Sequence, residues 1–153
     1  MALNIGDKIP HILGINQDGE TVKSSDYAGQ KLVLYFYPKD STPGCTAEAC
    51  SFRDNFSKLR KAGYQILGVS VDDGKAHKKF IEKQQLPFPL IADTDKKLVE
   101  AFGVWGEKTF MGRKFMGTFR TTFLIDESGV IKQIIGPKEI KTKEHAEQIL
   151  KQL

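Results

Sequence analysis

The chain has 153 residues, 40% of them hydrophobic, with 23 basic and 19 acidic side chains. That length predicts one domain over residues 1–153, large enough to bury a core without metal or disulfide support. The apolar fraction excludes disorder, the net charge of +4 is mild, and two cysteines are too few for a disulfide scaffold or a four-cysteine zinc site.

The opening Met1–Pro10 carries Asp7 and Lys8 and has no apolar stretch, so no signal peptide is expected and the expected compartment is the cytoplasm. His11–Ile15 and Glu20–Val22 flank Asp18-Gly19 and read as a small N-terminal hairpin. Lys31–Tyr37 is almost wholly apolar, as expected for a strand covered on both faces. Thr46–Ala62 reads as one long helix closed by Gly63. Tyr64–Val71 is a second buried strand, and Lys75–Gln85 a helix that stops before Leu86-Pro87. Phe88–Ala92 is a shorter strand interrupted by Pro89. Asp95–Phe102 reads as a helix capped by Thr94 or Asp95. Val104–Phe119, with three glycines and two methionines, reads as a surface loop or flap. Thr121–Asp126 and Val130–Ile135 surround Glu127-Ser128-Gly129 as a hairpin, and Thr142–Leu153 closes the chain as a helix.

This order predicts an α/β sandwich with a central mixed β-sheet flanked by helices. No run approaches the ~18 apolar residues of a membrane-spanning helix, so no membrane partner is expected. The basic clusters at 75–79 and 138–143 are interrupted and read as solvated faces, so no nucleic-acid partner is expected either. The three histidines, His11, His77 and His145, lack motif context and read as surface residues.

The informative stretch is Tyr35–Cys50, YFYPKDSTPGCTAEAC. A buried strand ends at Pro38, a polar loop follows, and a helix opens near Cys45, at the strand's carboxyl end where α/β sheets bind ligands. Helix N-termini hold free N–H groups and partial positive charge, which favour a thiolate there, and the thiolate is the nucleophile. Cys45 is therefore the candidate attacking group. Cys45, Ala49, Phe52, Phe56 and Leu59 share one apolar helical face, so Cys45 starts a buried stripe. Cys50, five residues on, lies about 140° around the axis with its Cα roughly 8.7 Å away. A disulfide needs less than about 7 Å, so pairing the two requires the first turns to unwind.

Thr42 caps the helix, donates to an anionic sulfur, or does both. Pro38 stiffens the strand exit and walls the pocket, or is an ordinary loop proline. Arg120 precedes the Thr121–Asp126 strand and either points across the sheet end to Cys45 or makes a surface salt bridge. Arg53 and Arg60 read as solvated. Glu48 either orients an arginine or favours the helix N-terminus.

At these residues the sequence resembles a peroxiredoxin. Pro38, Thr42 and Cys45 match the family's Pro-x-x-x-Thr/Ser-x-x-Cys motif, and Arg120 in FRTTFLID matches its late arginine. The second cysteine in PGCTAEAC resembles the bacterioferritin-comigratory (Q-type) subgroup, and the likeness runs over essentially the whole chain. The resemblance implies a thioredoxin-like fold and thiol peroxidase activity without metal, haem or other cofactor. It makes Cys45 the peroxidatic cysteine, oxidised by a hydroperoxide to a sulfenic acid. Thr42 and Arg120 would hold the substrate and Pro38 shield the pocket. Cys50 would resolve the sulfenic acid as an intramolecular disulfide, recycled by thioredoxin or a similar dithiol reductant. A monomer or weak homodimer is expected.

Three other readings stand beside it. A thioredoxin-type dithiol oxidoreductase would normally carry Cys-x-x-Cys rather than Cys-x4-Cys, and would excel at insulin reduction. A metal-delivery protein would bind copper through both cysteines and a histidine. A redox sensor would share the chemistry but act on a protein partner, without turnover under excess peroxide and reductant.

Overall fold

The computed structural model describes residues 2–152. A short hairpin, β1 (Ile12–Ile15) and β2 (Thr21–Lys23), precedes β3 (Lys31–Phe36). There follow α1 (Pro43–Asp54), α2 (Phe56–Lys61), β4 (Tyr64–Ser70), α3 (Gly74–Gln84), β5 (Leu90–Ala92) and α4 (Lys97–Ala101). The rest is β6 (Trp105–Phe110), β7 (Arg113–Thr118), β8 (Thr121–Ile125), β9 (Ile131–Ile135) and α5 (His145–Leu150). The central sheet has the order β5-β4-β3-β8-β9. β3, β4 and β5 are parallel, whereas β8 runs antiparallel to β3 and β9 antiparallel to β8, so the sheet is mixed as expected.

The two-residue period of β3 divides the core. Val33 and Tyr35, with Tyr37 just beyond, join Cys45, Ala49 and Phe52 of α1, Leu59 of α2, Phe80 of α3 and Ile149 of α5. Leu32, Leu34 and Phe36 face the opposite layer, with Leu98 and Val99 of α4, Phe102, Phe123 and Leu13 of the N-terminal hairpin. Each large apolar side chain so buried contributes about 1.5–3 kcal/mol, which makes β3 the strand the layers are built around.

Four expectations need correction. The helix expected over 46–62 begins at Pro43 and is broken at Asn55, whose φ/ψ of −110°/14° lies between α1 and α2. The Asn55 amide donates to Ser51 O at 2.9 Å, a local side-chain bond that competes with the helical ladder. The helix expected at Asp95 starts at Lys97, and its first turn is held by Asp93, whose carboxylate accepts from Leu98 N and Val99 N at 3.1 and 2.8 Å. The last helix splits into a 3-10 turn (Thr142–Glu144) and α5, and its expected end at Leu153 lies outside the described residues.

The expected flap at 104–119 is a regular antiparallel hairpin, β6 paired with β7 from Trp105↔Thr118 to Phe110↔Arg113. Its two-residue turn, Met111-Gly112, has φ of 52° and 79°, the left-handed pair that a type I′ turn requires. Phe110, Met111, Phe115 and Met116 are exposed along it. No described helix is long and apolar enough to cross a membrane.

Candidate active site

β3 delivers the chain to the site. Tyr37 N still bonds to Val69 O at 3.1 Å, after which half-buried Pro38 ends the pairing. α1 opens with Thr42 in an extended N-cap conformation and Pro43 at the first helical position, where its missing N–H costs nothing. The helix's first N–H groups lack intrahelical acceptors, so they point free beside Cys45. Cys45 is 1% exposed, on the apolar face with Ala49 and Phe52.

Thr42 makes neither of its expected bonds. Its hydroxyl donates to Lys39 O at 2.7 Å, closing the loop on itself. With its proton committed there, Thr42 Oγ1 presents lone pairs rather than a donor.

Arg120 enters from the turn ahead of β8. Its Nη1 donates to Glu48 Oε1 at 2.7 Å and its Nη2 to Cys45 Sγ at 3.4 Å. The guanidinium thus bridges a carboxylate and the sulfur with one planar fork. Room for it depends on Gly44, where a Cβ would stand 3.1 Å from Arg120 Nη2. Burial pulls the Arg120 pKa down, but Glu48 and then Cys45 outweigh it, so the net shift is upward and the charge persists.

Glu48 is fully buried, and its Oε2 has no hydrogen-bond partner among the described residues. His145 Nε2 lies 3.9 Å from that oxygen. Burial pushes the Glu48 carboxyl from 4.5 up to about 7, against the downward pull of Arg120. A carboxyl raised in this way binds more protons folded than unfolded. Its stabilisation is complete below pH 4.5 and is lost as pH rises through about 7. The full swing is about 3 kcal/mol at 1.36 kcal/mol per pKa unit. Urea unfolding at pH 5 and pH 8 is expected to show this decline in the wild type and a flatter response in Glu48→Gln. Parallel pH slopes in the two proteins would contradict it.

Cys50 sits off the apolar face, half-buried, with Sγ 3.5 Å from Gln84 Oε1 at the end of α3. Both cysteines are free thiols. Beyond Cys50, α1 is pinned: Phe52 is fully buried, and Ser51 Oγ accepts from Ala146 N of α5 at 3.0 Å. Arg53 is less solvated than expected, since its Nη1 donates to Gln84 O at 2.8 Å.

Two histidines overturn the surface expectation, for both His77 and His145 are fully buried. His145 Nδ1 lies 3.0 Å from Gln148 Oε1, and its Nε2 lies 2.7 Å from Thr122 Oγ1. Burial lowers its pKa, leaving a neutral ring that donates from Nδ1 and accepts the Thr122 hydroxyl at Nε2. His77 bonds to Asp40. The missed signal is spacing: His77 precedes Phe80 and Ile81 on one helical face, and His145 precedes Ile149.

Lys108 of β6, which no sequence signal marks, also approaches this region. Its Nζ donates to Thr118 O at 2.9 Å and lies 6.0 Å from the Phe119 ring centre, and burial followed by repulsion from Arg120 lowers its pKa. Among the described residues no three His, Cys, Asp or Glu side chains cluster as metal ligands. A surface cleft of about 260 Å³ between Tyr27 and the β8–β9 turn is lined by none of the residues around Cys45.

The AhpC/TSA family profile matches residues 5–134. Peroxiredoxin Bcp of Bacillus subtilis is 47% identical to this chain over 154 aligned residues, covering 100% of the chain and 96% of the relative. The chain belongs to the AhpC/TSA family, among its Bcp-type peroxiredoxins. Solved peroxiredoxins share its fold. A cysteine-to-serine mutant of Xylella fastidiosa PrxQ superposes with a TM-score of 0.89 at 36% identity, over 99% of this chain and 96% of that one. The bacterioferritin comigratory protein of Xanthomonas campestris, studied for its alkyl peroxide reduction, gives 0.83 at 40% identity, over 90% of this chain and 87% of that one. The fold of this peroxiredoxin is thioredoxin-like.

Proposed function

We propose that this chain is a thiol-dependent peroxidase that reduces hydrogen peroxide and organic hydroperoxides, with Cys45 attacking and Cys50 resolving. The observation that carries the reading is the Arg120 fork, with one arm on the Cys45 sulfur and the other on buried Glu48. A fixed cation against a buried sulfur at a helix N-terminus is what a thiolate nucleophile needs.

In the first step the Cys45 thiolate attacks the terminal oxygen of the hydroperoxide. An S–O bond forms and the O–O bond breaks. Its electron pair goes to the departing alkoxide or hydroxide, which takes up a proton. Arg120 and the free N–H groups of α1 stabilise that developing charge. Thr42 Oγ1 accepts from the hydroperoxide O–H, which aligns the O–O bond on the sulfur, and Pro38 keeps water away. In the second step the Cys50 thiolate attacks the sulfenic sulfur; an S–S bond forms and the oxygen leaves as water. The spacing in α1 requires its first turns to unwind for this. A dithiol such as thioredoxin then exchanges with the exposed disulfide and restores both thiols. The substrate class agrees with the alkyl peroxide reduction studied in the Xanthomonas relative. The reading includes a single domain acting as a monomer or weak homodimer in the cytoplasm.

Cys50→Ser tests the division of labour. One equivalent of peroxide is expected to be consumed at the wild-type rate, leaving a sulfenic acid at Cys45 by mass spectrometry. Steady-state turnover with thioredoxin is expected to fall to background. Normal thioredoxin-supported turnover in this variant would remove Cys50 from the cycle.

A further inference from the structure

The loop between β3 and α1 is held at its midpoint by a buried polar network that the cycle above does not use. Asp40 is 7% exposed, and Tyr37 and His77 are buried against it. The Tyr37 hydroxyl donates to Asp40 Oδ1 at 2.6 Å, and His77 Nδ1 lies 2.6 Å from Asp40 Oδ2. His77 Nε2 lies 2.8 Å from Ile91 O. The Asp40 backbone N–H donates to Asp72 Oδ2 at 2.8 Å, and the Ser70 hydroxyl reaches the same oxygen at 2.7 Å. One residue is thus tied to the end of β3, the end of β4, α3 and, through His77, β5.

Donor arithmetic gives the pair a definite character. Ile91 O accepts only, so His77 Nε2 carries a hydrogen. One further proton must then lie between Nδ1 and Asp40 Oδ2, or two lone pairs would face each other at 2.6 Å. The next residue, Ser41, has a φ of 62°, a left-handed conformation that L residues other than glycine, Asn and Asp seldom adopt. It persists only where its surroundings determine it. Asp40 lies midway between Pro38 and Thr42, and Thr42 is the N-cap of the helix that carries Cys45.

We propose that Asp40 and His77 form a positioning pair for the peroxide step, fixing the loop that sets Thr42 and Cys45 against Arg120 and forming the stationary side of the hinge on which α1 opens. This rests on the peroxidase reading. The pair touches no reacting atom; it acts through the loop. Loosening it lowers the population in which Thr42, Cys45 and Arg120 are aligned, which the attack needs. Disulfide formation unwinds the first turns of α1 beyond this loop rather than the loop itself, so loosening the pair does not slow it.

The test follows both phases after peroxide is mixed with reduced protein, by rapid quench and mass spectrometry. In Asp40→Ala the second-order rate constant of Cys45 oxidation is expected to fall at least tenfold, while the Cys45–Cys50 disulfide forms as fast as in the wild type or faster. Asp40→Asn is the conservative rescue. Its Oδ1 accepts from Tyr37, its Nδ2–H donates to a neutral His77 at Nδ1, and oxidation returns to within threefold of the wild type. Where Asp40→Ala does not fold, His77→Gln, which reaches Ile91 O but leaves Asp40, is expected to show the slow oxidation. His77→Asn, whose amide overlays Nδ1, is expected to restore it. A normal oxidation rate in Asp40→Ala or His77→Gln overturns the proposal, as does equal slowing of both phases. A wild type with no fast oxidation by peroxide overturns the peroxidase reading, and the proposal with it.

Discussion

Cys45→Ser is expected to abolish hydroperoxide reduction while leaving the fold intact. Serine is nearly isosteric with cysteine, and Arg120 Nη2, now 3.4 Å from the sulfur, is available as a donor to the new hydroxyl. A buried hydroxyl that lacked such a partner would cost about 1–3 kcal/mol, a loss that a domain of this size tolerates. The chemistry has no such tolerance. The hydroxyl stays protonated at neutral pH, and its oxygen cannot take up a second oxygen as sulfur does. Peroxide consumption is therefore expected at the level of a protein-free control, with a thermal midpoint close to wild type. Consumption above that control would place the reacting sulfur elsewhere, and Cys50 would be the residue to examine.

Arg120→Ala is expected to have the next largest effect, slowing Cys45 oxidation by about 10²–10³, the usual loss when one preorganised charge-stabilising donor is removed. It also strands Glu48. Removing one partner of a buried ion pair typically costs about 3–5 kcal/mol, because the other charge keeps its desolvation penalty. Glu48 already holds a pKa of about 7 with the arginine present, so without it the carboxyl takes up a proton and recovers part of that loss. The double variant Glu48→Gln/Arg120→Ala separates the two effects. Its stability is expected to exceed that of Arg120→Ala, and its oxidation rate to stay as low. Arg120→Lys is expected to fall between, because an ammonium keeps the charge but lacks the planar fork that aims one nitrogen at Glu48 and the other at the sulfur. Recovery of the rate in the double variant would mean that Arg120 serves the fold rather than the sulfur.

What could be read in the sequence was what depends on short-range periodicity. β3, β4 and β8 announce themselves as apolar runs because the sheet is covered on both faces there, and β9, with Lys132 exposed, is legible from the Glu127-Ser128-Gly129 turn before it. The β6–β7 hairpin was illegible for the opposite reason: most of β7 and the outer end of β6 are exposed, so neither strand shows an inside–outside alternation. Its turn, Met-Gly, is also not among the dipeptides that mark a type I′ turn most clearly. The start of α4 was misplaced because its capping carboxylate, Asp93, lies four residues before the helix, at the end of a strand. At the site, Cys45 is legible from its place where a strand, a loop and a helix start meet, whereas Glu48 and Arg120 each keep two readings in the sequence, between which only their 2.7 Å contact decides. Thr42 reads as a helix cap or as a donor to the sulfur, and its hydroxyl bonds to Lys39 O instead of either. The Asp40–His77 contact spans 37 positions, and no local pattern joins a loop aspartate to a helix histidine at that distance.

The break at Asn55 and the anchorage of Ser51 and Phe52 have a consequence for wear. In a cycle that unwinds residues 45–50, disorder spreads along α1 only until it meets the Ser51 contact with Ala146 and the buried Phe52 ring. The melted segment is then about six residues, each regaining roughly 1–2 kcal/mol of backbone entropy, which offsets the burial that Cys45, Glu48 and Ala49 give up. Rewinding starts from a helix stub already in register, so the slow nucleation of a new helix is avoided on every turnover. In such a cycle the last turn of α1, from Ser51 to Asp54, would act as a firebreak, letting the protein come apart at one spot without the sheet beneath being disturbed.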